Sequence, residues 1–172
     1  TNTYNIEPVS LPLKNPAILT FRLSQKQNSM YGLGVYKFNQ KKNEWEFQEI
    51  HHENSNLISV ELSELGLVTM LQDTIPPEIV YVFPAQAQSY KSSEISSIEC
   101  ILNDDLSGIE PTEEALKIIL NGKKVFCAYQ PVKRKLSYSL IDPLTPGDHS
   151  IFISAQDYAG NKMENTINFT VN

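Results

Sequence analysis

The chain has 172 residues, 41% of them apolar and 20% charged, with a net charge of −6. That length holds one domain or two small ones, and the composition is that of an ordinary globular chain rather than a disordered or fibrous one. The acidic balance argues against a nucleic-acid surface: lysines and arginines are scattered, and only Lys133-Arg134-Lys135 makes a short basic run. No apolar stretch approaches the roughly 18 residues a membrane span needs. The chain begins at Thr1 rather than at a methionine, which predicts an excised or processed piece of something longer, with any signal or anchor outside it.

The dominant period along the chain is two. Ala17, Leu19, Phe21 and Leu23 alternate with Ile18, Thr20 and Arg22, the pattern of a half-buried strand. YGLGVYKF and EWEFQEI flank the polar run NQKKN, which predicts a β-hairpin. HHENSN reads as a second turn, and LISVELSELGLVTML as one long or two short strands with Gly66 at a bend. The doubled proline in QDTIPPEIV then stops one unit and opens another, because a proline cannot donate to a sheet ladder. The boundary is expected near Gln72–Ile75, giving units 1–72 and 73–172.

After the prolines the same period resumes. IVYVF is a strand, and Ile98, Cys100 and Leu102 form an inward stripe on the next. ALKIIL and KKVFCAY flank Asn121-Gly122, a strong hairpin signal because both turn positions need positive φ. LSYSLI, SIFISAQ and NTINFTV follow, separated by the turns DPLTPGD and DYAGNK. PTEEALKII carries the one helical hint, a single turn capped by Thr112. Strands at this spacing predict an all-β protein of two tandem β-sandwich units, the second immunoglobulin-like.

From Asp73 onward the chain resembles the immunoglobulin-like repeats (Big or cadherin-like) of bacterial secreted and surface proteins. The segments that carry the likeness are DTIPPEI, NDDLSGI, LNGKKV, PLTPGDHSIFISAQD and AGN before a final alternating strand. The first unit, through YNIEP, NPAILTF, LGVYKF, EWEF and ELGLVTMLQD, resembles β-rich modules of bacterial cell-envelope proteins, some of which also carry a lysostaphin-type peptidase domain. The resemblance implies an extracellular, cell-surface or periplasmic place and further domains in the same parent protein. The paired-histidine metal motifs of such a peptidase are absent from this sequence.

No enzyme is expected. His51 and His52 adjoin in a polar segment and would point to opposite faces of an extended backbone, and His149 leaves a turn. Cys100 and Cys127 are too few for a disulfide scaffold and lack metal-ligand spacing; buried thiols and a bridge both stay open, with thiols favoured. Tyr36 and Trp45 are candidates for stacking on a glycan, against which stands the reading that these aromatics serve a small core.

The acidic end of the second unit is the most informative feature. The loops NDDLSG and DYAGN and the linker QDT should gather at one end of a sandwich of this connectivity. Asp104 continues the inward parity of Leu102, and Asp157 that of Ala155. Either each aspartate accepts backbone N–H bonds in its own turn, or Asp73, Asp104, Asp105 and Asp157 share a calcium ion, as the similarity to cadherin repeats suggests. No other cofactor is expected. The resulting functional expectation is a non-catalytic spacer, adhesion or partner-binding segment, its partner a protein or a cell-wall glycan. The alternatives are a glycan-binding module and an accessory part of a cell-wall peptidase.

Overall fold

A computed structural model describes residues 2–23, 31–54 and 56–172, with 52–54 as backbone only. The chain divides into two compact units, Thr1–Thr74 and Ile75–Asn172. Each is a β-sandwich, and the second is immunoglobulin-like.

The first unit contains β1 (Thr3–Asn5), β2 (Pro12–Arg22), β3 (Leu33–Asn39), β4 (Glu44–Gln48), β5 (Ile50–Asn54), β6 (Leu57–Glu64) and β7 (Leu67–Gln72). One sheet has the order β1-β7-β3-β4 and the other β2-β6-β5. Alternation sets the faces: Ile58, Val60 and Leu62 on β6 point into the core with Leu23, Val35 and Val68, and Leu19 and Phe21 pack against them. Ile18, on the opposite parity of β2, is left 73% exposed.

HHENSN departs from expectation. Its first four residues lie in β5, where His51 pairs with Ser59 and His52 with Ile58, rather than in a turn. A polar segment joins a sheet when its backbone finds a partner, and β6 supplies one. Trp45 and Phe47 lie outside the buried cluster of this unit. Phe47 pairs with Tyr36, and Tyr36 faces away from Val35, so these rings occupy the opposite face of their sheet.

The second unit contains β8 (Glu78–Phe83), β9 (Ser89–Tyr90), β10 (Ser97–Asn103), β11 (Lys117–Leu120), β12 (Lys123–Val125), β13 (Ala128–Gln130), β14 (Lys135–Ser139), β15 (Gly147–Gln156) and β16 (Lys162–Val171). One sheet runs β13-β14-β10-β8, the other β12-β11-β15-β16-β9. KKVFCAY is two strands rather than one: β12 pairs with β11, and β13 pairs with β14 in the other sheet. The change of sheet occurs at Phe126 and Cys127. Asn121 and Gly122 both take positive φ, 48° and 79°, as the hairpin requires.

Ile98, Cys100 and Leu102 on β10 and Ile151, Ile153 and Ala155 on β15 are fully buried in the core. Full burial of one such leucine or isoleucine contributes about 1.5–3 kcal/mol. The inward stripes of β10 and β15 thus run straight towards Asp104 and Asp157. PTEEALKII makes one helical turn: the Leu116 N–H donates to Thr112 O at 2.9 Å and the Ala115 N–H to Thr112 Oγ1 at 3.2 Å.

Candidate functional site

At the end of β10 the chain turns sharply, and Asp104 holds the turn. Its Oδ1 accepts the N–H groups of Leu106 at 3.2 Å and Gly108 at 2.6 Å. Gly108 has φ +81°, a conformation a side chain would strain. At the end of β15, Asp157 holds the second turn. Its Oδ1 accepts the Asn161 N–H at 2.8 Å, and its Oδ2 accepts the Asn161 Nδ2–H at 2.8 Å. Asp157 and Asn161 are both buried.

The two turns are stitched together within the second unit. Ile109 bridges Asp157, the Tyr158 N–H donates to Gly108 O at 3.1 Å, and the Glu110 N–H donates to Gln156 O at 3.0 Å. As a result Asp104 and Asp157 belong to an aspartate cluster whose carboxylate oxygens lie within 4.8 Å of one another. Carboxylates this close repel unless donors or a cation compensate them. The backbone N–H bonds to Asp104 and the paired bonds from Asn161 supply part of that compensation.

Asp105 is not drawn in. It is exposed, and its Oδ1 accepts from Asn103 Nδ2 at 2.9 Å, while Asn103 Oδ1 accepts from Arg134 Nη1. Asp73 ends the first unit. It is buried, and its N–H donates to Gly32 O at 2.7 Å. Gly32 has φ +72°, and a Cβ there would lie 2.0 Å from Asp73 O, so only glycine fits against this backbone. The antiparallel register Asn103↔Glu78 brings the start of β8 beside the residue that precedes Asp104.

Asn161 and Gly108 were not singled out from the sequence as partners in this site. The signal for Asn161 is the four-residue spacing from Asp157 across Tyr158-Ala159-Gly160, which lets one carboxylate cap both the backbone and the side chain of the later residue.

The other candidates take bland places. Tyr36 is fully buried, with Phe47 edge-on at 5.6 Å and 80°. Its ring lies over Gly34, where a Cβ would come within 2.8 Å of Tyr36 and 2.9 Å of Phe47. A ring covered in this way offers no face to a sugar, so Tyr36 is a packing residue and not a glycan platform. Trp45 is half-buried and edge-on to Phe38 at 5.2 Å. His51 is exposed, and the His52 and Glu53 side chains lie outside the described residues. His149 is buried against Phe169, with Nδ1 2.8 Å from Asn121 Nδ2 and Nε2 2.8 Å from Thr145 O. Asn121 Nδ2 is placed to donate to the ring at Nδ1, and Nε2 to donate to Thr145 O.

Both cysteines are free. Burial pushes the Cys100 thiol up to about 12. Desolvation also raises that of the half-buried Cys127, whose Sγ approaches Leu116 O at 3.9 Å. Both shifts favour the protonated thiol, the form of a buried packing side chain.

No protein-family model matches the chain, and no curated protein matches it in sequence. Three solved structures are among those similar to the chain. CopC from Methylosinus trichosporium OB3b is 20% identical with a TM-score of 0.46, covering 56% of this chain and 93% of that one. Dimeric latent PorU from Porphyromonas gingivalis is 12% identical with a TM-score of 0.45, covering 92% of this chain and 20% of that one. Sidekick-1 immunoglobulin domains 1–4 are 13% identical with a TM-score of 0.29, covering 99% and 46%. At these identities and scores no residue role passes from them to this chain. Among the described residues no helix is long and apolar enough to cross a membrane.

Proposed function

We propose that this chain is a non-catalytic segment of a bacterial exported or cell-surface protein, serving as a spacer that holds a partner-binding or adhesive part at a set reach. The observation that carries this reading is the pair of self-contained cores. The buried cluster of each sandwich is built wholly from residues of its own unit. The chain passes from one to the other through Thr74-Ile75-Pro76-Pro77. Two prolines with fixed φ remove freedom from so short a joint, which suits a stiff spacer. The place is extracellular, cell-surface or periplasmic, and the chemistry of any neighbouring domain belongs to the parent protein. Backbone ¹⁵N relaxation on the full chain tests it: a stiff spacer gives one rotational correlation time for both units. Clearly different values would count against the spacer.

A second reading concerns the acidic end, favoured by the proximity of the Asp104 and Asp157 carboxylates. Here a calcium ion is held by these two and by loop carbonyls of the same turns. Calcium takes six to eight oxygen ligands and so needs them all. At about ten times its dissociation constant the ion would add about 1.4 kcal/mol, or a rise of about 5 °C in melting temperature. A melting curve indifferent to both calcium and chelator would leave the turn-holding role alone.

A further inference from the structure

Among the described residues the first sandwich is open along one side. A groove of about 940 Å³ runs there, lined by residues 2–6 and 19–23 together with Leu33, Met70 and Gln72. A groove that saw one face of a strand would be lined by alternate residues. This one is lined by consecutive residues of β1 and of β2, so it follows the edges of those strands as well as their inward faces. Both are edge strands among the described residues: β1 pairs only with β7, and β2 only with β6. The groove is therefore flanked on each side by backbone N–H and C=O groups that no described strand satisfies, with Leu19, Phe21 and Leu23 as an apolar floor.

The two halves of β2 differ in a telling way. Residues 12–16 carry Pro12, Lys14 and Pro16, the devices that blunt an edge against pairing, and the register with β6 is interrupted there. Residues 17–22 carry no proline or lysine and hold an unbroken register with β6. The unguarded half reaches about 20 Å when extended and overlaps the groove. Among the described lining residues Arg22 is the one charged side chain, in a chain of net charge −6.

We propose that residues 17–22 of β2 and the groove beside them bind an extended peptide by strand addition, the peptide presenting alternating apolar side chains to the groove and a carboxylate to Arg22. Main-chain hydrogen bonds to an open edge give affinity, and the pockets beneath alternate side chains give specificity. The guanidinium selects for an acidic residue or a free C-terminus, which it can hold through two parallel N–H bonds. This site is independent of the acidic end of the second unit and of the stiffness of the joint.

The test is fluorescence anisotropy on the full chain with a labelled heptapeptide of alternating threonine and valine ending in a free aspartate. Saturable binding is expected. N-methylation of the central peptide bonds removes the ladder donors without touching the protein, and should weaken binding by about tenfold or more. Arg22→Glu, on an exposed residue, should weaken the acidic peptide by about tenfold and leave the C-terminal amide of an all-threonine-valine peptide little changed. The absence of binding, or equal binding of the methylated and unmethylated peptides, would overturn the proposal. So would sedimentation showing that a second copy of the chain already occupies the edge and excludes the peptide.

Discussion

The two units solve the same problem with different completeness. In the second, thirteen buried residues form one core, and the turns at the end of β10 and β15, each held by its own aspartate, close on each other through Gly108, Ile109 and Glu110 against Tyr158, Asp157 and Gln156. In the first, six buried residues form the core among the described residues, and the sandwich leaves a groove between two strand edges. A closed end fixed by buried charge–dipole bonds is a structural joint. A side whose edge backbone no described strand pairs is a surface that can be recognised. The contrast separates the unit with the closed end from the unit that carries the proposed peptide site.

The contrast can be pressed by substitution. The largest effect is expected from Leu102→Ala, which leaves a cavity in the closed core and should cost the second unit about 3–4 kcal/mol in chemical denaturation. Equal loss in both units would deny that the cores are separate. Next comes Gly32→Ala in the first unit, where a Cβ 2.0 Å from Asp73 O forces the backbone to move. About 2–4 kcal/mol should be lost there, together with hydrogen-exchange protection of the Asp73 amide.

Asp157→Ala removes the acceptor of two bonds from a buried asparagine. It should destabilise the second unit by about 2–3 kcal/mol, read from its melting transition. Asp157→Asn, keeping the shape but presenting an N–H where an acceptor is needed, should recover only part of that. The smallest effect is chemical rather than energetic. With iodoacetamide near pH 8, mass spectrometry should show Cys127 modified first and Cys100 only on unfolding, because Cys100 is fully buried and its thiol is pushed up to about 12. Early labelling of Cys100 would show that the core of the second unit opens.

Much of the second unit was legible because its strands carry clean alternation. Ile98, Cys100 and Leu102 announce both β10 and its inward face, and Asn121-Gly122 announces a hairpin. The same parity, carried two residues further, locates Asp104 and Asp157 at the end of the core stripes. What parity does not supply is the partner of each carboxylate, which depends on how the following loop folds back. Asp105 shows the limit: it adjoins Asp104 in sequence, yet turns outward to Asn103.

In the first unit the failures share one cause. β5 is polar and reads as a turn, and it is a strand because β6 lies beside it. β1, at three residues, is too short to show any period. Tyr36 and Trp45 look alike as aromatics of one hairpin, yet burial separates them. The groove itself follows from which strands end up at sheet edges, and that is a property of topology that no local pattern contains.

The most direct measurement is backbone ¹⁵N relaxation on the intact 172-residue chain, because the central claim is that two separate sandwiches act as one stiff spacer. The account predicts one rotational correlation time shared by the amides of both units, unchanged by dilution. Separate correlation times, each that of a freely tumbling unit, would contradict it.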